Sequence, residues 1–466
     1  MIRTIHVIAG FLAILLTGCV EEKESTAAYW LTTLDKNSLL IPHKITASSE
    51  GPSENAAEIR IDSSMTFQEM DGFGYTLTGG SALHLAKMSK DARSWILNEL
   101  FDTDGKGIGV SYLRLSIGAS DLDEKTWSYN DLATGEADPE LERFSMSYDT
   151  LYLIPVLKEI LKINPDIKIL GSPWSAPVWM KDNGDTRGGS LKKEAYAVYA
   201  KYFVKYIQGM AEAGIIIDAV TIQNEPLHPG NNPSMYMTAT DQADFIKGYL
   251  GPEFEKNGIN TKIIVYDHNC DKPEYPMTIL ADSAASKFVD GSAFHLYGGE
   301  ISALSKVHEA YPDKNLYFTE QWVGAPGDFA KEMAWHTENL IIGAPKNWAR
   351  TVLEWNLAAD EHQEPHTDRG GCDRCLGAIT ITGDEVVRNP AYYIIGHASK
   401  FVRPGSVRIG SNDDKGVIDV AYRTPGGKIV VILQNTNTAD TDVSVHINNE
   451  NYQLNLVAGA VATLII

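Results

Sequence analysis

The chain is poor in positive charge, poor in cysteine and without an apolar run long enough to cross a bilayer, and each shortage removes a class of protein. Lys and Arg number 40 against 61 Asp and Glu. Such a surface repels phosphate backbones and anionic headgroups at long range, so nucleic acid is not an expected partner. Four cysteines occur in 466 residues, and the closest pair, CDRC at 372–375, lacks two of the four ligands that zinc needs. The most apolar stretch, in the opening MIRTIHVIAGFLAILLTGC, falls short of the roughly 20 residues of a membrane span. Internal repeats, long low-complexity linkers, glycine-rich phosphate loops and metal-ligand clusters are all missing. GFG at 72–74 is too short for a dinucleotide fingerprint and lacks its context. Neither a metal nor a cofactor is expected.

The opening segment, with Arg3 near its start and small residues before Cys19, reads as a cleaved export signal over residues 1–18. LTGC, Leu16 to Cys19, resembles a bacterial lipobox, which implies cleavage before Cys19 and lipid attachment to its thiol. An acidic tether over 19–28 follows. The expectation is a bacterial outer-membrane lipoprotein at the cell surface or on the periplasmic face, touching the membrane only through that lipid, and monomeric. Cys270, Cys372 and Cys375 remain. CDRC is open to three readings: a redox pair, half a metal site with His362 and His366 nearby, or a short disulfide. Export favours a structural disulfide or an unpaired loop.

From about 67 to 390 short apolar runs alternate with longer helical patterns, the mark of repeated βα units. The candidate strands are GFGYTL (72–77), GVSYLRLSIG (109–118), IKILGS (167–172), IIIDAVTIQ (215–223), TKIIVYD (261–267), GSAFHLY (291–297), NLYFTE (315–320) and RTVLEWNLA (350–358). Between them Tyr196, Tyr199, Phe203, Tyr206 and Met210 recur at helical spacing, a stripe that belongs to the core. Eight such units close most simply as a (β/α)8 TIM barrel, an α/β fold whose chemistry sits at the carboxyl ends of its strands. The flanks, 29–66 and 391–466, are strand-rich and turn-punctuated, and predict one β-sandwich attached to the barrel.

Carboxylates, aromatics and amides crowd the predicted strand ends: Asp121, Trp174, Asn224, Glu225, Asp267 to Asn269, His295, Tyr297, Glu320, Trp322, Trp355 and Asn356. Glu225 closes an apolar strand just before Pro226, a place for a charge with a task rather than for a strand interior. Glu225 and Glu320, on the fourth and seventh strands, point across the barrel mouth. Two carboxyls flanking one bond suit glycoside hydrolysis. Tryptophan supplies flat apolar faces for a sugar ring, and Asp, Asn and His take its hydroxyls. Arg114, inside the second strand, requires a buried carboxylate partner and is expected to hold Glu320 or a neighbour ionised.

The motifs FQEMDGFG (67–74), RLSIGASD (114–121), GSPWSAPVWMKDNG (171–184), TIQNEP (221–226), FHLY (294–297), YFTEQW (317–322), LEWNLA (353–358) and YYIIGHASKFVRPGSVRI (392–409) appear in order. Through them the chain resembles glycoside hydrolase family 30, the family of glucosylceramidases and microbial β-1,6-glucanases. The resemblance implies Glu225 as general acid/base, Glu320 as nucleophile, and Asp121, Trp174, Asn224 and Trp355 around the sugar before the scissile bond. His295, Tyr297 and Trp322 would flank the same pocket. YTLTGG (75–80) and EPHTDRGGCDRC (364–375) depart from the human-type glucosylceramidases, and the latter looks more like the β-1,6-glucanase subgroup.

These readings predict a retaining β-glucan hydrolase acting by double displacement, first of all a β-1,6-glucanase, with endo and exo action both open. Asn224 is expected to hydrogen-bond the sugar's 2-hydroxyl and Tyr297 to orient Glu320. The alternatives are a glucosylceramidase or β-glucosidase with the same pair, a xylan-cleaving relative, for which no clear uronate-binding basic cluster is present, and, in another class, a non-catalytic glycan-binding surface lipoprotein.

Overall fold

A computed structural model describes residues 26–49 and 51–466. The export signal and Cys19 lie outside the described residues. Strand β1 (Thr26–Thr32) takes up the last three residues of the segment read as a tether; the rest of that segment also lies outside the described residues.

Eight parallel strands close a barrel in the order β10-β12-β4-β5-β6-β7-β8-β9. They are β4 (Gly72–Thr76), β5 (Tyr112–Ser116), β6 (Lys168–Ser172), β7 (Ala219–Thr221), β8 (Lys262–Asn269), β9 (Val289–His295), β10 (Asn315–Glu320) and β12 (Ala349–Asn356). All eight fall on the predicted segments. Gly74 is required by closure: a Cβ there would lie 1.8 Å from the Tyr112 carbonyl oxygen on β5. The helix Tyr196–Glu212 buries its aromatic stripe completely, as its periodicity implies.

The barrel interior is layered. Tyr112, Leu170, Ala219, Ile264, Ala293, Tyr317 and Leu353 form an apolar floor. Two residues further along each strand, the same inward face carries Arg114, Ser172, Thr221, His295, Thr319 and Trp355. A polar layer therefore sits directly on an apolar one. Alternation would add Tyr266 from β8, but the β8–β9 register shifts between Tyr266 and His268. Tyr266 and Asp267 adopt left-handed backbone there, φ 77° and 63°. This bulge sends Asp267 into the polar layer in place of a tyrosine. A second shift, between Phe318 and Glu320 on β10, lets Glu320 join Thr319 at the mouth.

Both flanks build one sandwich, as expected. The additional strands are β2 (Ile41–Thr46), β3 (Ala57–Glu69), β17 (Val407–Gly410), β18 (Val417–Arg423), β19 (Ile429–Asn435), β20 (Thr441–Ile447), β21 (Glu450–Leu456) and β22 (Val461–Ile465). Their order is β2-β1-β22-β19-β18-β17-β3-β20-β21. The long β3 serves both layers: Ala57 to Ile61 pair with β20, and Asp62 to Glu69 with β17. Ile59, Val431, Leu433, Val445, Tyr452 and Leu464 are among the side chains buried between the layers.

The boundary read at 390 divides the molecule too early. Helix Pro390–Ser399 packs on β4 and β12 as well as on β22, so it is the last barrel helix and the joint at once. Its His397 is fully buried between Thr32 and Thr463, at 2.7 and 2.9 Å. Burial pushes its imidazole down to about 3, so this pin is neutral and spans both flanks.

Candidate active site

Glu225 has left-handed backbone, φ 45°, a conformation that costs a non-glycine residue about 1–2 kcal/mol. Its amide donates to the Asp267 carbonyl at 3.0 Å. The ends of β7 and β8 are thereby tied together, and the Glu225 side chain is turned into the mouth. Strain of this kind gathers where a side chain must be aimed.

Beneath the mouth, Arg114 is wholly buried and connects four elements. Its Nη1 donates to Glu320 Oε2 at 2.5 Å, and its Nη2 to Asn224 Oδ1 at 2.7 Å, Asp267 Oδ2 at 2.9 Å and Ser172 Oγ at 3.3 Å. Its guanidinium carbon lies 4.7 Å from the Trp174 ring and 5.8 Å from that of Trp355. Asp267 also accepts from Ser172, Thr221 and Thr319. Burial alone would raise its carboxyl, but Arg114, His295 and Thr319 hold it well below the ordinary carboxylate range.

His295 links the network to both glutamates. Nε2 is 3.0 Å from Asp267 Oδ1, while Nδ1 is 3.4 Å from Glu225 Oε1 and 3.8 Å from Glu320 Oε1. Those two glutamate oxygens therefore lie no further apart than 3.4 and 3.8 Å laid end to end, 7.2 Å. Burial opposes the imidazolium, yet the surrounding Glu320, Asp267 and Glu225 raise His295 to about 9. The Tyr297 hydroxyl donates to Glu320 Oε1 at 3.0 Å.

The pair divides its charge unevenly. Burial pushes Glu320 up, with help from the Glu225 charge and against the pull of His295 and Arg114. Burial acts on Glu225 in the same way, but the neighbouring imidazoles of His268 and His295 bring it below the ordinary range. His295, between the two carboxylates, thus carries a proton at neutral pH. Asp121 is raised to about 8 by burial and by the Glu320 charge.

A cavity of about 380 Å³ opens above this network, lined by Asp121, Trp174, Glu225, Tyr297, Glu320, Trp322 and Trp355. Seven of the nine predicted catalytic and sugar-contact positions thus reach it together. The other two are placed differently. His295 is fully buried behind the carboxylates, so its contacts are to Glu225, Glu320 and Asp267 rather than at the pocket's flank. Asn224 lies under the lining with its carbonyl committed to Arg114, which leaves its amide NH2 as the group that can face a sugar hydroxyl.

Sequence reasoning missed His228 and Asn231 as lining residues and had His268 and Asn269 only as part of a polar strand end, without a sugar-contact role; Asn231 Nδ2 donates to Glu225 Oε2 at 3.3 Å. The signal for His268 was its place in DHN at a strand end. For His228 and Asn231 it was only a polar loop directly after Glu225. The structure pairs the two cysteines of CDRC: Cys372 and Cys375 form a disulfide, the short-disulfide reading of the three. The disulfide lines the cavity beside Trp174, Trp322 and Trp355. It is held there by β11 (Val323–Gly324), directly after Glu320, pairing with β14 (Cys375–Leu376). The intervening β13 (Ala358–Ala359), with β15 (Ile379–Thr382) and β16 (Glu385–Arg388), forms a small sheet beside the mouth.

A closed βα barrel with two buried glutamates at its mouth, an arginine and a tyrosine on one of them, and tryptophans around the space between them defines a glycoside hydrolase. The comparisons with known proteins give the family. The glycosyl hydrolase family 30 TIM-barrel domain matches residues 70–402, and the family 30 beta sandwich domain matches residues 405–464. The chain belongs to glycosyl hydrolase family 30.

It is 34% identical over 421 residues to the endo-1,6-beta-D-glucanase neg1 of Aspergillus fumigatus, covering 84% of each chain. It is 28% identical over 405 residues to the lysosomal acid glucosylceramidase of Mus musculus, covering 81% of this chain and 77% of the other. The solved structure of the endo-beta1,6-glucanase BT3312 superposes with a TM-score of 0.88 at 34% identity, covering 94% of this chain and 98% of that one.

Proposed function

We propose that this protein is a retaining endo-β-1,6-glucanase in which Glu320 is the nucleophile and Glu225 the acid/base. The observation that carries the reading is the shared contact of Glu225 and Glu320 with one His295 nitrogen, at 3.4 and 3.8 Å. It holds the two oxygens within 7.2 Å of each other, a span that takes in the about 5–5.5 Å of a retaining pair, at which no water fits on the nucleophile's side. The linkage is supported by the two β-1,6-glucanase relatives named above, which are nearer in sequence than the glucosylceramidase.

Glu320, fixed by Arg114 and Tyr297, attacks the anomeric carbon. His295 passes its Nδ1 proton to Glu225, and Glu225 gives it to the departing glycosidic oxygen. Esterification removes the Glu320 charge, so Glu225 can then take a proton from the incoming water and the ester is hydrolysed. The Asn224 amide donates to the 2-hydroxyl, a contact that strengthens as the ring flattens.

Three measurements test the reading. Glu320→Gln abolishes turnover and keeps the fold; Glu225→Ala is rescued by azide on substrates with a good leaving group. Normal cleavage of a native glucan by Glu225→Ala would remove the assignment. Products from pustulan, laminarin, cellobiose and glucosylceramide, compared side by side, separate the substrates. Mixed short β-1,6 oligomers from pustulan support endo action, and glucose alone overturns it. We further infer, from the leader sequence, a lipoprotein anchored through Cys19 at the outer membrane and acting as a monomer. Release of Cys19→Ser into the soluble fraction tests the anchor, and a sedimentation mass above one chain would overturn the monomer.

A further inference from the structure

We infer that Glu225, His268 and His295 together form a binding site for a zinc-class transition-metal dication, and that its occupation switches the enzyme off. Among the described residues this is the one group of three whose donor atoms all lie within 4.8 Å of one another. From Glu225 Oε1 the distances are 3.4 Å to His295 Nδ1 and 3.8 Å to His268 Nδ1. Ligands about 2.0–2.1 Å from a tetrahedral zinc stand about 3.3 Å apart. Small side-chain movements therefore suffice to close the three around one ion.

Two further observations point the same way. His268 is buried, and its Nδ1 has no hydrogen-bond partner in the protein, a costly arrangement unless something else takes that nitrogen. His295 turns Nε2 to the Asp267 carboxylate, the outer contact that orients a metal-binding imidazole, and its Nδ1, turned to Glu225, can coordinate once it has given up its proton. Glu225 and His268 line the cavity, so the fourth position faces solvent. Two imidazoles and one carboxylate suit zinc or copper(II), whereas magnesium and calcium need more oxygen ligands than the group offers.

The binding claim stands on geometry alone; the inhibition claim rests on the reading of Glu225 as acid/base. A metal on Glu225 Oε1 and His295 Nδ1 occupies both ends of the proton path. Binding releases the His295 Nδ1 proton to solvent as the coordination bonds form; no covalent bond of the chain is broken, and chelation reverses the effect.

Calorimetric titration of the chelator-treated full chain with zinc chloride, beside turnover of an aryl β-glucoside, is the test. One equivalent of zinc is expected to bind, to stop turnover, and to be reversed by chelator, with magnesium inert. His268→Ala and Glu225→Gln should each weaken zinc binding at least about tenfold, since even outer-contact changes cost that much; His268→Gln, closer in size, guards against a misfolded alanine variant. Unchanged zinc affinity in all three variants, or no zinc binding to the native chain, overturns the site. Binding that the variants abolish, without any loss of turnover in the native chain, keeps the site and overturns Glu225 as acid/base.

Discussion

Replacing Arg114 by methionine removes the one cation besides His295 that contacts Glu320 among the described residues, and the structure gives the size of the effect. Arg114 is fully buried and makes hydrogen bonds to Glu320, Asn224, Asp267 and Ser172. Methionine fills much of the volume and satisfies none of them. Removing one partner of a buried ion pair costs about 3–5 kcal/mol, because the other charge is left uncompensated. Asp267 retains His295, Thr319, Thr221 and Ser172, so the larger loss falls on Glu320, left with Tyr297 and the more distant His295. Glu320 then binds a proton more readily, and each unit of rise in its pKa is tenfold in the fraction available to attack at a pH below it. A fall in kcat of at least about a hundredfold is expected, with an acid limb of the kcat/KM profile displaced to higher pH. Arg114→Lys should recover part of the stability but little of the rate, since one ammonium cannot reproduce contacts made through two separate nitrogens. Thermal melts and pH–rate profiles on an aryl β-glucoside measure both. An Arg114→Met variant with native stability and an unmoved acid limb would refute the reasoning.

Tyr297→Phe deletes the 3.0 Å hydrogen bond to Glu320; a bond to a charged group is worth about 1.5–3 kcal/mol, so kcat should fall roughly tenfold to a hundredfold with little change in melting temperature. His336, buried between Glu354 at 2.7 Å and Glu332 at 3.1 Å, is raised to about 9 chiefly by Glu354 against its own burial. Because its folded pKa is above its unfolded value of about 6.5, its contribution is complete below about pH 6.5 and disappears as pH rises through about 9. His336→Gln should therefore be less stable than the native protein by about 3 kcal/mol at pH 6, and the difference should vanish above pH 9; denaturant titrations at several pH values would show a constant difference if this is wrong. Cys372→Ser with Cys375→Ser opens a short loop, worth about 2 kcal/mol at most by loop entropy, but frees the wall beside Trp174, Trp322 and Trp355. The expectation is a raised KM with kcat nearly kept, checked by steady-state kinetics, and an unchanged KM would show that the disulfide does not shape the sugar site.

The strand segments, the core stripe on helix Tyr196–Glu212 and the pair Glu225 and Glu320 were legible one residue at a time. An apolar run interrupted by a single charge is a local statement, since a strand interior admits such a charge only with a partner or a purpose. Arg114 could be read as a buried cation in search of a carboxylate for the same reason, and the search ended at Glu320 as expected, with Asp267 as well. His295 was legible as a site residue but not in its position, because its depth depends on where β9 sits relative to β10.

By itself, then, the order of residues determined which segments are strands, that eight of them alternate with helices, and which two glutamates stand at strand ends. Pairing decided the rest. Asp267 reaches the polar layer only because β8 slips against β9, and Glu320 reaches the mouth only because β10 slips against that same strand. Closing eight twisted strands into a ring imposes those slips, and no stretch of one strand carries the register of its neighbour. The seat of the disulfide beside Trp174 and the approach of His268 to Glu225 are decided in the same way: each brings together residues far apart in the chain, at a distance set by the barrel and not by anything local to either.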